Sequence, residues 1–487
     1  MAVLKLSTPG VYVQEISTFP PSVAEVETAI PAFIGYTEKA DQSAAGDLVM
    51  VPNKITCLSD FEYFYGGPPT ETDDSITINV KDHGSNNYDI TFGYTDAKRS
   101  NYNLYYSIQH FYANGGGTCY IVSVKTYTDG AGNVDAKDLE DGLTLIKDVD
   151  EVTLLSIPEA PNIDKTDGGT AYAGIVNAMI LQASDLKDRF ALVDPYKVTA
   201  KDSTDPNGDI DADVLIIRNA SLTVSENRYA AAYYPNIITN YEYQYDFDNL
   251  TVDTYTPDSG VTDQALATVK MSDAKIGSGS ILYTKIKTEL SKQYVVLPPS
   301  PAMAGIYTRV DSNKGVWKAP ANESVLDIYA PSIAISNREQ ESLNVDPSFG
   351  KSINVIRSFP GYGTLVWGAR TLNGNDNEWR YISVRRFFNM VEESVKKSSQ
   401  WAVFEPNTIS TWVKIQAMIE NYLFLKFRDG ALAGSKPEQA YYVKVGLGST
   451  MTSIDILEGR LNVEIGMAVA RPAEFIVLKF SQLMQQS

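Results

Sequence analysis

Two cysteines and two histidines in 487 residues leave little material for several kinds of chemistry. Cys57 and Cys119 cannot make a disulfide scaffold, and so few thiols fit a reducing compartment. His83 and His110 are poor raw material for a histidine-based metal site, and no cofactor is expected. No run of about eighteen apolar residues occurs, so neither a transmembrane helix nor membrane insertion is expected. Residues 1–6 are too short and too soon interrupted to read as a signal peptide. Positive charge is also in deficit. Lys and Arg number 41 against 60 Asp and Glu, a net charge of −19. That balance argues against direct nucleic-acid binding, which depends on neutralising phosphates.

What is present is ordinary globular material. The apolar fraction is 44%, enough to bury sizeable cores, and the length calls for two or more domains. Charge is unevenly spread. Residues 1–299 carry a net −21 and the rest +2. Two readings fit: two domains of different solvation, or an acidic part facing out of an assembly whose near-neutral part touches protein.

Along the chain, residues 10–16 (Gly-Val-Tyr-Val-Gln-Glu-Ile) alternate as a strand does, and Phe19-Pro20-Pro21-Ser22 must then be extended or turned. A short strand on such a tether either joins the local sheet or adds to the sheet edge of another subunit. Residues 29–36 read as a buried strand and 59–67 as a short helix ended by glycine. Residues 68–103 turn polar and read as a surface β-hairpin insertion, with strands at 76–80 and 88–92. A helix is expected over 102–114 and a strand over 118–124. From residue 138, helices at 139–146, 172–187 and 225–233 alternate with strands at 152–157, 189–194 and 236–239. This is an α/β pattern with a partly parallel sheet. Residues 241–281 form a second polar, strand-rich insertion.

The last part carries two amphipathic helices. Val384, Phe387, Phe388, Val391 and Val395 share one face, as do Trp412, Ile415, Ile419, Tyr422, Leu423 and Phe427. Strands are expected over 439–445 and 460–469. Beyond Arg471-Pro472-Ala473 comes a final strand over 474–480, again past a proline joint.

Catalytic and nucleotide motifs are weak. Gly350-Lys351-Ser352 resembles the end of a phosphate-binding loop, but Val345 stands where the pattern wants glycine. Gly115-Gly116-Gly117 precedes a strand and reads as a helix stop. Asp194 ends a strand of the α/β region, where catalytic carboxylates often sit, yet no motif brings a histidine to it. Glu392-Glu393 and Glu405 could form an acid pair, but adjacent glutamates on a helix usually face solvent. Arg380, Arg385, Arg386, Lys396, Lys397, Lys414, Lys426 and Arg428 lie on or beside the two late helices. They read as a solvated face with Glu393–Lys397 pairing, or as a basic patch for an acidic protein surface.

Residues 298–380 carry Pro298, Pro299 and Pro301, which forbid a continuous helix at their own positions. They also carry the small apolar run Ala302-Met303-Ala304-Gly305, and arginines between aromatics. Taken bare, this is a packing surface. Several of its motifs, in order, resemble the C-terminal domain of contractile tail sheath proteins of myophages and bacterial contractile injection systems. They are Pro298-Pro299-Ser300, Ala304-Gly305-Ile306-Tyr307, Gly315-Val316-Trp317-Lys318-Ala319-Pro320-Ala321-Asn322, Asn354-Val355-Ile356-Arg357, Val366-Trp367-Gly368-Ala369-Arg370-Thr371 and Trp379-Arg380-Tyr381. Gln400 to Asn407, Arg428-Asp429-Gly430-Ala431-Leu432 and Arg471-Pro472-Ala473-Glu474-Phe475 continue the match.

The resemblance implies a multidomain, mixed α/β (α+β) sheath subunit. Residues 1–30 would be an N-terminal arm and 31–295 an outer acidic α/β domain with insertions near 68–103 and 241–281. Residues 296–470 would be an inner C-terminal α/β domain and 471–487 a C-terminal arm. The arms would donate strands to neighbours through Val11, Tyr12, Val13 and Ile16, and through Phe475, Ile476, Val477, Leu478 and Phe480. The 439–470 region would receive them. Arg385, Arg386, Lys396, Lys397, Lys414 and Lys426 would meet an inner tube. Implied partners are further copies in a helical homo-oligomer, the inner tube, a baseplate and terminal cap proteins. Assembly would occur in the bacterial cytoplasm, within a phage virion or a tail-like injection particle. A non-contractile polymer or shell protein, and an α/β enzyme using Asp194, are the alternatives.

Overall fold

The apolar runs build the centre of a computed structural model that describes residues 22–94, 99–163, 168–196, 208–220 and 225–478. Eight strands form one sheet in the order Gly363–Trp367, Ile353–Phe359, Ala230–Tyr234, Phe190–Val193, Leu154–Ser156, Pro31–Thr37, Cys119–Thr126 and Asn53–Ile55. The six inner strands are mutually parallel. The strand at each end is antiparallel. Successive side chains of a strand point to opposite faces, so the sheet feeds two cores. Ile34, Val122, Leu155, Ala191, Ala232 and Val355 enter one, with the helices Ala136–Ile146, Thr170–Leu186 and Gly208–Ala220. Phe33, Ile121, Leu154, Leu192, Ala231 and Ile356 enter the other, with Leu58–Tyr65, Leu104–Ala113 and Ser300–Lys314. Helices on both faces explain why the inner strands read as unbroken apolar runs.

The small apolar run after the prolines is the packing surface it was expected to be, and its form is helical. The helix Ser300–Lys314 begins directly after Pro299, with Pro301 in its first turn. Proline is tolerated there because the first N–H groups of a helix have no intrahelical acceptor. Gly305 lets this helix approach its neighbour closely: a Cβ there would lie 2.5 Å from the Phe111 carbonyl oxygen.

One expected helix is corrected and another helix is new. The helix expected over 225–233 is a single turn, Asn227–Tyr229, followed by the strand Ala230–Tyr234. Every residue of that strand is buried between Phe190–Val193 and Ile353–Phe359, and burial in the ladder overrides the helical preference of three alanines. The helix Gly208–Ala220 was not anticipated.

The two insertions form one sheet. Thr251–Pro257 pairs in parallel with Ile76–Asp82, which pairs antiparallel with Tyr88–Tyr94. Ile76, Ile78 and Val80 share a core with Val252, Leu266, Met271 and the helix Ile281–Leu290. A separate antiparallel sheet runs Tyr294–Leu297, Ile237–Glu242, Ile328–Pro331.

The described residues divide into two compact units, 22–26 with 391–470 and 27–390 with 471–478. The expected boundary near 296 is therefore displaced. Residues 296–390 belong to the larger unit because Ile353–Phe359 extends its sheet and Ser300–Lys314 covers it.

The two histidines sit in opposite environments. His83, at the insertion hairpin, has Nε2 2.8 Å from Asp89 and Nδ1 2.6 Å from Asp258. Only the protonated ring donates from both nitrogens; the bonds to Asp89 and Asp258 raise its pKa above 6.5. Its contribution to stability is full below about pH 6.5 and is lost as pH rises through the raised folded value. His110 is fully buried, and burial lowers its pKa to about 4. Stability from that site is lost as pH falls from about 6.5 through 4. A proton NMR titration of the two ring signals is expected to give one midpoint above 6.5 and one silent resonance until about pH 4. Two midpoints near 6.5 would contradict both environments.

Candidate functional site

In the smaller unit, Tyr441–Val445 and Val463–Met467 form a two-stranded antiparallel sheet, paired from Tyr441–Met467 to Val445–Val463. Among the described residues neither strand has a second ladder partner. Two strands alone are marginal in water, and the helix Ile409–Arg428 supports them. Ile415, Met418, Ile419, Tyr422 and Leu423 of that helix are buried, and its Gln416 donates to the Val443 carbonyl at 3.3 Å. Past Met467 the chain is held by Ala433 N–H to the Ala468 carbonyl and Ala470 N–H to the Ala431 carbonyl, at 2.7 and 2.9 Å. On the open face, Tyr442 lies over Gly466 of the opposite strand and donates to Glu464 at 2.7 Å. Lys444 stands 4.6 Å from the same ring. On the outer edge of Tyr441–Val445 the Val443 carbonyl is thus taken by Gln416, and among the described residues no further strand pairs with either strand.

The N-terminal arm enters this unit at a pinned root. Ala24 N–H and Val26 N–H donate to the hydroxyls of Ser398 and Ser394, each at 3.1 Å, and Glu25 pairs with Lys426. The candidate donor residues Val11, Tyr12, Val13 and Ile16 lie outside the described residues.

The C-terminal arm leaves the larger unit from a stronger anchor. Glu474 accepts from Arg370 Nε at 2.9 Å and Nη2 at 2.7 Å, from Asn344 Nδ2 at 2.9 Å and from Tyr381 at 3.2 Å. Burial pushes the Glu474 carboxyl up, but the bonds from Arg370, Asn344 and Tyr381 outweigh it and hold its pKa below the ordinary value. Immediately beyond, Phe475, Ile476, Val477 and Leu478 are 73, 79, 76 and 72% exposed. They form no strand. The strand expected from residue 474 onward is thus absent in the described part of the arm, because no ladder of its own chain lies beside it. Phe480 lies outside the described residues.

The basic residues do not form one patch. Arg385 is buried, donates to Asn389 at 2.8 Å and lies 4.4 Å from the Trp379 ring and 4.8 Å from that of Tyr229. Arg386 is buried on Asp311 at 2.5 Å and the Thr28 carbonyl at 2.8 Å. Lys426 is buried against Glu25. Buried, partnered cations offer no charge to a surface. Lys396 and Lys397 remain near the surface and pair with Glu393 at 3.1 and 3.4 Å; Lys414 is exposed.

The weak catalytic motifs resolve into supports. Asp194 is buried and accepts the Ser300 N–H at 2.7 Å and its hydroxyl at 2.5 Å. It thereby satisfies the start of the helix Ser300–Lys314. Burial pushes the Asp194 pKa up to about 7 despite these two bonds. In the Gly350-Lys351-Ser352 loop, the backbone N–H groups of Ser348, Phe349 and Lys351 bind the carboxylate of Asp346. The chain's own anion fills the place a phosphate would take.

Sequence reasoning missed the grip of Arg370 on Glu474, the Tyr442–Gly466 contact and the Gln416 bond. Arg370 and Glu474 both stand in motifs that carried the resemblance, but nothing in the sequence said that they meet across 104 positions.

Two sequence families match this chain: "Phage tail sheath protein central domain" over residues 214–372 and "Phage tail sheath C-terminal domain" over residues 374–482. The tail sheath protein of Enterobacteria phage T4 is 26% identical over 130 residues, 26% of this chain and 19% of that protein. The tail sheath protein of Vibrio phage KVP40 is 24% identical over 128 residues, 26% of this chain and 19% of its own length. Each match therefore spans about a fifth of the phage protein. Solved structures match over the whole length. The sheath complex of an extracellular contractile injection system, PVC, in its contracted state is 28% identical, with 98% of each chain covered and a TM-score of 0.62. The helical sheath of the anti-feeding prophage in its contracted state is 29% identical, with 98% of this chain and 99% of that chain covered, also at 0.62. The chain belongs to the phage tail sheath family, as its motifs implied, and its mixed α/β fold is that of a contractile sheath subunit.

Gly466 is the most restrictive position of the small sheet. A Cβ there would stand 2.2 Å from the Tyr442 ring. Gly466→Val is expected to turn the half-exposed Tyr442 ring off the strand and break its bond to Glu464, read as a shift of the Tyr442 ring signals in NMR. Unchanged ring signals would contradict the described packing.

Proposed function

We propose that this chain is the structural subunit of a contractile tail sheath. It polymerises as a helical sheath around an inner tube, and contracts from a metastable extended lattice to drive that tube through a target envelope. The single observation that carries this reading is the presence, within one chain, of four exposed apolar residues past an anchored root and of a two-stranded sheet that has no third strand among the described residues. A donated strand gains main-chain hydrogen bonds and covers its apolar side chains. Two such arms, one at each terminus, weave neighbouring copies together and keep them connected while the bodies turn.

Contraction needs no nucleotide. Energy stored at assembly as the difference between two packings of one sequence is released when a baseplate triggers the change. The acidic part with its joined insertions faces outward, and Lys396, Lys397 and Lys414 are the cations left to meet an acidic inner tube. Further copies, the tube, a baseplate and a terminal cap are the partners. Assembly takes place in the bacterial cytoplasm, in a phage virion or a tail-like injection particle. The chain is not an enzyme: Asp194 holds a helix start, which supports a structural role for it. A polymer of one fixed pitch is the competing structural reading.

Deleting residues 1–18 is expected to abolish polymerisation and leave a folded monomer, checked by negative-stain microscopy together with circular dichroism. Long sheaths formed by the deleted protein would refute exchange of the N-terminal strand.

A further inference from the structure

We propose that Glu474, gripped by Arg370, Asn344 and Tyr381, is the positioning residue that aims the C-terminal strand at one neighbour. The inference rests on the strand-exchange reading and deepens it. A strand from residue 475 to 480 spans at most roughly 20 Å, so the direction in which it leaves decides which sheet edge it reaches. A two-point guanidinium–carboxylate contact fixes direction as well as distance, because both groups are planar and the two bonds are parallel.

The base of the grip is itself immobile. Arg370 is 3% exposed. Its Nη1 donates to the Asn344 carbonyl at 3.1 Å, and its backbone N–H donates to Asn354 Oδ1 at 2.8 Å. Asn354 returns a bond from Nδ2 to the Arg370 carbonyl at 2.8 Å and lies in the strand Ile353–Phe359 of the main sheet. Arg370 also pairs with Tyr381 across an isolated bridge. The carboxylate is therefore referred, through one side chain, to the rigid sheet of the larger unit. On the other side, Pro472 removes one backbone donor and fixes its own φ two residues before the grip. Among the described residues, 475–478 lie in no strand and are exposed. The free part of the arm thus starts at residue 475 and not at 471, which shortens the tether and raises the local concentration of the strand at one edge.

A mechanical consequence follows. The donor's arm is rooted in its larger unit, whereas the candidate accepting strands, Tyr441–Val445 and Val463–Met467, belong to the smaller unit. Each exchanged strand couples the larger unit of one copy to the smaller unit of the next. Load between copies passes through the Arg370–Glu474 pair.

The test compares full-length wild type, Glu474→Gln and a chain lacking residues 475–487, each expressed with whatever partners the wild type needs to form tubes. Gln keeps the size, removes the charge and turns an amide N–H toward the guanidinium. Expected for Glu474→Gln are a lowered monomer melting temperature, because Arg370 keeps a buried charge without its carboxylate, and a critical concentration for tube growth raised at least about tenfold when measured below that melting temperature. In the monomer, spin labels at residues 362 and 478, on a Cys57→Ser background, are expected to give a distance distribution at least about twofold broader than in the unaltered arm. Tubes at the wild-type concentration from Glu474→Gln, but none from the deleted chain, would overturn the positioning role and leave strand exchange standing. Tubes from the deleted chain would overturn strand exchange itself. A lowered melting temperature for Glu474→Gln with unchanged spin-label distances and unchanged tube growth would show that the pair holds the body together and does not aim the arm.

Discussion

Backbone groups of a strand must find partners, and Phe475 to Leu478 find none among the described residues. Four adjacent apolar side chains lie in water past Glu474, each worth roughly 1.5–3 kcal/mol once covered. Folding this subunit alone does not satisfy that segment. In the proposed exchange its complement is the sheet Tyr441–Val445 with Val463–Met467, which has no third strand among the described residues. The rest of the molecule can be understood as the support for these two incomplete features.

The support is rigid where it must be. Six parallel strands with helices on both faces give the larger unit two cores on one sheet. Interiors packed this tightly switch between discrete arrangements and do not stretch. That suits a lattice whose work is done by bodies turning against one another. The buried ions serve the same end. Arg385, Arg386 and Lys426 spend their charges inside the protein, and Asp194 and Asp346 spend theirs on helix and loop backbone.

Much of this was legible in the chain. The strands at Pro31–Thr37, Cys119–Thr126 and Leu154–Ser156 and the late helices Ile382–Ser398 and Ile409–Arg428 announce themselves by apolar runs and by the 3.6-residue period. The hairpin at Ile76–Asp82 and Tyr88–Tyr94 does so by its polar turn. What was not legible depends on contacts between distant residues. Ala230-Ala231-Ala232 favours a helix locally and becomes a strand only because two other strands flank it. The two insertions looked separate because nothing local says that Thr251–Pro257 pairs with Ile76–Asp82. The basic patch failed for a similar reason. Helical spacing shows which residues share a face, but not that Arg386 finds Asp311 and that Lys426 finds Glu25. Glu474 and Arg370 were each visible in a motif, and their meeting was not.

If the exposed arm and the two-stranded sheet complete one another between copies, hydrogen exchange followed by mass spectrometry will distinguish the monomer from assembled tubes. Amides of residues 475–478 are expected to exchange freely in the monomer and to become protected in the tube, together with amides on an outer edge of 441–445 or 463–467. Tubes in which residues 475–478 exchange as fast as in the monomer would contradict the account.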